Sequence, residues 1–232
     1  MPVAGADFDH PIFRESLRII RAMPGMEAAL GLLTALQQDV VLRLIHSSGD
    51  PELAGAVRFS PGACEAGLAA LAAGAPILTD TQMAAAAVGP MARRTFGNRV
   101  RSVLDWAPAQ APAGSTRAAA GMALALAEVG QASGGHGVAP VVLIGSAPTA
   151  LELLLEQVGS GAAGAAPGQP PALVIGMPVG FVGVAESKRH LAASGLAHIR
   201  LEGSKGGAGL VAAACNALLR AAWLQATSAP SA

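Results

Sequence analysis

The segment 43–50 (RLIHSSGD) places an arginine and a histidine at a spacing that suits substrate binding and proton transfer. Arg43 and His46 are three residues apart, so they share one face of the helix predicted over 27–46. A histidine exchanges a proton near neutral pH, and an arginine binds carboxylate groups well. Taken alone, the spacing favours a simpler interpretation, in which the His46 ring only hydrogen-bonds the turn that follows.

Ser16 interrupts the apolar side of a short amphipathic helix predicted over 12–22. It lies between Phe13 and Ile20, whereas the arginines of this helix occupy another side. A serine in such a place either bonds back to a carbonyl of its own helix or faces a polar ligand. Ser16 is therefore a second candidate for a site.

The composition argues against nucleic-acid-binding and membrane proteins. The 232 residues carry 15 basic and 15 acidic side chains, and only 3% are aromatic. Nucleic-acid binders more often show a basic patch with aromatic side chains for stacking. Hydrophobic residues make up 52%, but charges, glycines and prolines interrupt the apolar runs before the roughly 20 residues that span a bilayer. The many small apolar residues predict tight packing and a buried subunit interface.

The two cysteines, Cys64 and Cys215, lie in separate Ala-rich stretches with no second cysteine nearby. They are expected to be small buried residues of a cytoplasmic protein. Residues 1–10 lack the basic and apolar regions of a secretory signal. No group of histidines and cysteines has the spacing of a zinc site, so no metal site is expected.

Short β-like runs alternate with Ala-rich helical stretches after the turn at 49–51. The runs are 76–79, 99–104, 140–144, 172–177 and 198–201. The helices are expected at 62–73, 81–88, 116–129, 148–158, 184–193 and 207–224. This alternation predicts parallel βα units, and the unbroken apolar central runs indicate strands covered on both faces. The expected fold is one α/β domain over 1–232, a three-layer α/β/α sandwich with a five-stranded, mainly parallel sheet. A flexible loop is expected near 159–171 and a disordered tail over 227–232.

Polar or Gly-rich turns follow most of these strands, at 79–83, 145–149, 176–188 and 203–209. In open parallel sheets, ligands bind beyond the carboxyl ends of the strands. Turns of this kind expose N–H groups at helix starts and favour anions. A ligand with several carboxylates or phosphates is therefore expected at this edge. The turn Gly203–Gly209 either cradles a phosphate or is only a tight turn.

Taken together, five ordered segments resemble the precorrin-8X methylmutase family, with its cobalt-precorrin-8 counterpart, of corrin (vitamin B12) biosynthesis. The segments are RLIH (43–46), GAPILTDTQM (74–83), GSAPTAL (145–151), GMPVGFVGVAESK (176–188) and SKGGAG (204–209). The resemblance extends from residue 12 to about residue 219.

This resemblance implies a cofactor-free homodimer with each site near the dimer interface. The implied reaction moves a methyl group from carbon 11 to carbon 12 of ring C of the tetrapyrrole precorrin-8X, giving hydrogenobyrinate. The catalytic histidine of the family falls on His46, and its substrate-contacting residues fall on Ser16, Arg43 and Arg117. As a general acid, His46 would protonate a ring nitrogen, which makes the macrocycle electron-poor enough for the methyl shift, and then recover the proton.

The chain departs from the family pattern at four positions. Ser146, Ser204 and Ala208 stand where the family commonly has Asn, Arg and Ser, and Phe13 stands where a tyrosine is often seen. Two other functions are considered: a non-catalytic tetrapyrrole carrier, and a phosphate-ligand enzyme that uses the turn at 203–209.

The remaining candidates carry weaker expectations. Glu186 and Lys188 either cap a helix or contact the ligand. The other histidines are not expected to be catalytic; they are His10, His136, His190 and His198.

Overall fold

The structure, a computed structural model, describes residues 8–132, 137–159 and 170–228. Within these ranges a six-stranded sheet has the order β1-β6-β5-β4-β2-β3. Strands β2 to β6 are parallel along this order, and β1 is antiparallel to β6. The strands are β1 Val57–Phe59, β2 Ile77–Thr79, β3 Val100–Ser102, β4 Val141–Ile144, β5 Leu173–Gly176 and β6 His198–Leu201.

Helices cover both faces of this sheet. They are α1 Pro11–Arg21, α2 Met26–Gly31, α3 Ala35–Ser48, α4 Leu53–Ala56, α5 Ala63–Ala72, α6 Gln82–Arg94, α7 Arg117–Ala132, α8 Pro148–Gly159, α9 Val184–Ala193 and α10 Ala208–Ser228. A 3-10 turn at Val103–Asp105 follows β3.

Successive residues of the central strands are buried in two separate cores, one on each face of the sheet. Val141 and Leu143 of β4 pack with α3, α5, α6 and α10 on one face. Val142 and Ile144 pack with α7, α8 and α9 on the other face. Side chains that alternate across a strand and are buried on both sides need a layer of helices on each face. The three-layer α/β/α prediction is therefore confirmed.

The sheet has one strand more than the five predicted. Strand β1 contains only Val57, Arg58 and Phe59, and it pairs with β6 in the register Val57↔Leu201 and Phe59↔Ile199. Strands β2 and β3 are equally short but lie within the longer predicted runs 76–79 and 99–104, whereas β1 has no such run around it and shows too little alternation to be recognised. Its strand conformation depends on the hydrogen bonds to β6, which are a tertiary effect.

The helix predicted over 27–46 is two helices in the structure. Thr34 begins α3 with a capping box, in which its side chain accepts from the Gln37 N–H and the Gln37 side chain accepts from the Thr34 N–H. This arrangement satisfies two backbone donors that a new helix start leaves free. The helix predicted over 81–88 continues to Arg94 through Pro90, because Ala84, Val88 and Ala92 are buried in the core.

Helix α10 forms the centre of one core. It is long and apolar enough to cross a membrane by length and composition, but 67% of its most apolar window is buried inside the fold. It packs against α3, α5 and α6, as a core helix does. Thr227 and Ser228 of the predicted tail belong to α10. The rest of that tail, His136 and most of the predicted loop near 159–171 lie outside the described residues.

Candidate active site

Ser16 on α1 and His46 on α3 meet side by side. The Ser16 Oγ lies 2.8 Å from the His46 Nδ1. His46 occupies the last turn of α3, which ends where Gly49 adopts a left-handed conformation (φ 70°) and its N–H bonds to the Ile45 carbonyl. The Ser16 hydroxyl therefore contacts a side chain of another helix, a partner that neither interpretation of the sequence named.

One face of α1 lines an open cleft that His46 borders. Ile12, Glu15, Ser16 and Ile19 follow one another at helical spacing along this face. The cleft has a volume of about 550 Å³ and its remaining lining residues are Pro11, Ile20, Met23, Ile45, His46 and Gly49. Ile12 is 71% exposed and Ile19 is 49% exposed. The cleft thus offers an apolar wall beside two groups that can exchange a proton.

Phe13 connects Arg43 to this pair. The Arg43 guanidinium carbon lies 4.6 Å from the centre of the Phe13 ring, a cation–π distance. The Phe13 and His46 rings are nearly perpendicular, at 84°, with centres 5.0 Å apart. Arg43 does not itself line the cleft. The structure therefore brings three of the four predicted site residues together, because Phe13 contacts Arg43 and His46, and His46 contacts Ser16.

A second arginine, Arg220 on α10, reaches the same ring at 5.8 Å. Its Nε donates to both carboxylate oxygens of Asp9, at 2.8 and 2.9 Å, and its Nη1 lies 3.4 Å from Asp39. Asp39 thus pairs with Arg220 and makes no ion pair with Arg43 on its own helix. Among the described residues Arg43 has no ion pair, so its charge is available to a ligand.

Burial lowers the pKa of His46, and the nearby charge of Arg43 lowers it further. Burial likewise lowers the pKa of Arg43, with a second contribution from Arg220 and an opposing one from Asp9. The imidazole is therefore mostly neutral at pH 7, since its ordinary pKa is about 6.5. In this state the Ser16 hydroxyl can donate to Nδ1 or accept from it, depending on the tautomer.

Arg117 stands apart from the other three site residues. It is the first residue of α7, on the opposite face of the sheet from α3, and its side chain is exposed. Its Nε donates to the Pro108 carbonyl at 2.9 Å. No contact found among the described residues joins it to Ser16, Arg43 or His46.

The turn Gly203–Gly209 is packed closely against its neighbours. A side chain at Gly206 would come within 2.0 Å of the Met177 carbonyl oxygen, and one at Gly145 would come within 2.7 Å of the Ala208 nitrogen. The Lys205 Nζ pairs with Asp50 and Glu52, each at 2.7 Å. These glycines therefore serve close packing, and the lysine charge is compensated, which counts against a phosphate cradle.

Lys188 is buried and hydrogen-bonds the backbone of the same turn. It is 1% exposed, and its Nζ donates to the carbonyls of Gly203 and Lys205 at 2.8 and 2.7 Å. Burial lowers its pKa to about 8. Lys188 thus anchors the turn, whereas Glu186 is exposed and pairs with Arg189.

Asp80 organises the turn that follows β4. Its Oδ2 accepts from the N–H groups of Gly145, Ser146 and Ala147, at 3.1, 2.6 and 2.8 Å. The residue is 1% exposed. Burial raises the pKa of this carboxyl, and the three amide bonds oppose that rise.

We expect Asp80→Ala to lower the free energy of unfolding by about 2–4 kcal/mol, because partly buried N–H groups would lose their acceptor. Urea unfolding monitored by circular dichroism measures the loss. Asp105→Ala is the matched control, since Asp105 forms a partly exposed pair with Arg101 and should cost no more than about 1 kcal/mol. Equal losses in the two variants would contradict the anchoring role of Asp80.

Two contributors to this site were not identified from the sequence. Phe13 entered as an apolar neighbour of Ser16 and as a departure from a common tyrosine, although its position one turn before Ser16 places it beside α3. Arg220 is the single charged residue within α10. A lone arginine in an apolar core helix is a signal in itself, because such a side chain is rarely buried without a partner.

The comparisons with known proteins agree along nearly the whole chain. A family model described as precorrin-8X methylmutase matches residues 11–221. The chain is similar to the precorrin-8X methylmutase of Pseudomonas aeruginosa, with 43% identity over 89% of this chain and 93% of the relative. It is also similar to the cobalt-precorrin-8 methylmutase of Synechocystis sp., with 33% identity over 93% of this chain and 97% of the relative.

A solved structure agrees as well. It is described as a crystal analysis of precorrin-8X methylmutase from Thermus thermophilus, and it has a TM-score of 0.73 and 40% identity. The match covers 92% of this chain and 98% of that chain. The resemblance carried by the five sequence segments is therefore confirmed, and the chain belongs to the precorrin-8X methylmutase family.

Proposed function

We propose that this chain catalyses the reaction of its family, moving a methyl group from carbon 11 to carbon 12 of ring C of precorrin-8X to give hydrogenobyrinate, with His46 as proton donor and acceptor. The observation that carries the residue assignment is the 2.8 Å contact between Ser16 and His46 at the wall of the apolar cleft. Relatives named for precorrin-8X and for cobalt-precorrin-8 both match the chain, so both forms are tested as substrate.

His46 returns the proton that it gives, so the isomerisation consumes none. Protonated His46 donates to a ring nitrogen of the substrate, the methyl group migrates in the electron-poor macrocycle, and the neutral imidazole then takes the proton back. When Nδ1 carries a proton, the Ser16 hydroxyl accepts it as a hydrogen bond, which leaves Nε2 for the substrate. The carbonyls at the end of α3 stabilise the imidazolium.

Arg43 suits the acetate and propionate groups of such a substrate. It is half-buried and has no ion pair among the described residues. An arginine in this state forms strong charge-assisted hydrogen bonds with a carboxylate. The cleft beside it is lined mostly by apolar side chains, which suits the methyl-bearing edge of a macrocycle.

We further propose that the chain works as a homodimer with its site near the interface, and that Arg117 is a substrate-binding residue of that site. The exposed side chains of α1 beside the cleft support a surface that a second chain covers. Sedimentation velocity at micromolar concentration tests the dimer, which should have twice the 22.9 kDa mass of the chain. Both cysteines are buried and free, in keeping with the cytoplasm as the location.

The spectral change of the substrate tests the function itself. Purified protein is incubated with precorrin-8X and, separately, with its cobalt form, and the absorption spectrum is followed over time. Conversion to the product spectrum supports the isomerase. Binding with an unchanged spectrum would instead indicate the non-catalytic tetrapyrrole carrier.

We expect Ser16→Ala to lower kcat by roughly twofold to tenfold, the value of one ordinary hydrogen bond of about 0.5–1.5 kcal/mol. The loss follows because the His46 ring would no longer be oriented by the hydroxyl at Nδ1. Steady-state kinetics with the spectral assay measure it. Ser194→Ala is the control, since that hydroxyl donates to the Leu191 carbonyl and accepts from the Leu196 N–H, and neither residue lines the cleft. A kcat equal to that of the control would remove Ser16 from the mechanism.

A further inference from the structure

Phe13 contacts both the arginine and the histidine of the candidate site. Its ring lies 4.6 Å from the Arg43 guanidinium and 5.0 Å from the centre of the His46 ring. On its other flank is Arg220, at 5.8 Å, which Asp9 holds in place. Phe13 is also three residues before Ser16, so α1 presents both side chains toward α3.

We propose that Phe13 is a positioning residue that sets the place of Arg43 relative to His46, so that carboxylate binding and proton donation act on one substrate molecule. This inference rests on the roles proposed above for Arg43 and His46. It concerns a residue that touches both groups and has no chemistry of its own.

The contacts of Arg43 make this role specific. Among the described residues no carboxylate pairs with Arg43, so the stacked ring is the contact that determines where its guanidinium lies. A guanidinium stacked on an aromatic face keeps the N–H groups of its edge free for a carboxylate. Without the ring, the long arginine side chain would regain its rotational freedom.

The contact between Phe13 and His46 restricts the orientation of the imidazole. The nearly perpendicular ring blocks one direction of rotation of the imidazole, while the Ser16 hydroxyl holds Nδ1. The ring also covers one side of the imidazole of His46, a residue that is otherwise exposed. The charge that acts on the imidazole is that of Arg43 on α3. Glu15 on α1 lines the same cleft and pairs with Arg18, and Arg220 on α10 approaches the Phe13 ring and pairs with Asp9.

Phe13→Leu, which keeps the apolar bulk and removes the aromatic face, tests the proposal first. We expect kcat/KM to fall about tenfold, within the strength of a partly desolvated cation–π contact. Phe13→Tyr keeps the face and should restore most of the activity. Leu17→Ala is the matched control, because Leu17 packs into the core from the same helix. It should lower stability with kcat/KM retained.

A double-mutant cycle separates positioning from general loosening of α1. If Phe13 acts through Arg43, Phe13→Leu in the Arg43→Ala background should lose most of its effect, because interacting residues are not additive. Full additivity of the two losses would overturn the proposal. So would an unchanged kcat/KM in Phe13→Leu.

A binding-independent readout keeps this test separate from the proposed function. The His46 titration, followed by NMR of the imidazole ring, should move to higher pH in Phe13→Leu, because water enters and Arg43 is released. An unmoved titration would count against Phe13 even if the wild-type chain converted neither substrate. Conversely, an inactive wild type with a shifted titration would refute the proposed function and leave the positioning role of Phe13 supported.

Discussion

Replacing His46 with alanine is expected to lower kcat for methyl migration by about 10²–10⁴-fold, the usual contribution of a positioned general acid and base. Substrate affinity should change little, because the carboxylate contacts are proposed to lie on Arg43 and Arg117. The spectral assay gives kcat, and titration of the variant with substrate gives the affinity. Loss of turnover with retained binding is the signature of a group that acts on the transition state.

Two control substitutions make this result specific. His190→Ala removes a surface histidine of α9 that pairs with Glu152, and its turnover should match the wild type. Lys205→Ala removes the lysine of the turn at 203–209 and should also retain turnover. If Lys205→Ala abolished activity while His46→Ala retained it, the phosphate-ligand enzyme would replace the methylmutase assignment.

The pH dependence of kcat/KM tests the same proton donor. Burial and the charge of Arg43 lower the pKa of His46, so its protonated form predominates only below the ordinary value of about 6.5. Because the donating form is lost as pH rises, kcat/KM should fall as pH increases through this lowered pKa. His46→Ala should lack that limb. A limb that persists in the variant would assign it to another group.

The layers of the fold were predictable because their signals are local. The apolar runs of β4 and β5 and the Ala-rich helices between them lie in short, continuous segments. Strand β1 was not predictable, since its three residues depend on pairing with β6. The break before α3 carried a signal in the capping pair Thr34 and Gln37, but the apolar periodicity on both sides of it hid the boundary.

The site was predictable only in part, for a physical reason. Ser16 and His46 are 30 residues apart, and each is unusual in its own helix, so each could be noticed separately. Their 2.8 Å contact depends on how α1 packs on α3. Asp39 shows the same limit: it lies four residues before Arg43 in α3, a spacing that suits an ion pair, yet its partner is Arg220 from α10. Spacing along the chain describes neighbours within a helix, not between helices.

Replacing Arg43 with methionine is expected to lower kcat/KM about 10²-fold, mainly through a higher KM, because a bound carboxylate would lose a half-buried charged partner. Methionine keeps an unbranched side chain against Phe13, so packing is largely retained. Arg18→Met is the matched control, since Arg18 lies on exposed α1 surface and already pairs with Glu15. Similar losses in the two variants would indicate a general effect of positive charge and not a specific contact.

Arg43→Met is also expected to shift the pH dependence of kcat/KM, an effect that a damaged site would not produce. Arg43 lowers the pKa of His46 by repulsion, so removing its charge should raise that pKa. The pH limb of kcat/KM should therefore move to higher pH in Arg43→Met even as KM increases. A variant that had only lost its packing would be less active at every pH without this upward shift. The limb thus distinguishes an arginine that binds substrate beside the proton donor from one that merely stabilises the fold, and an unmoved limb would exclude the first role.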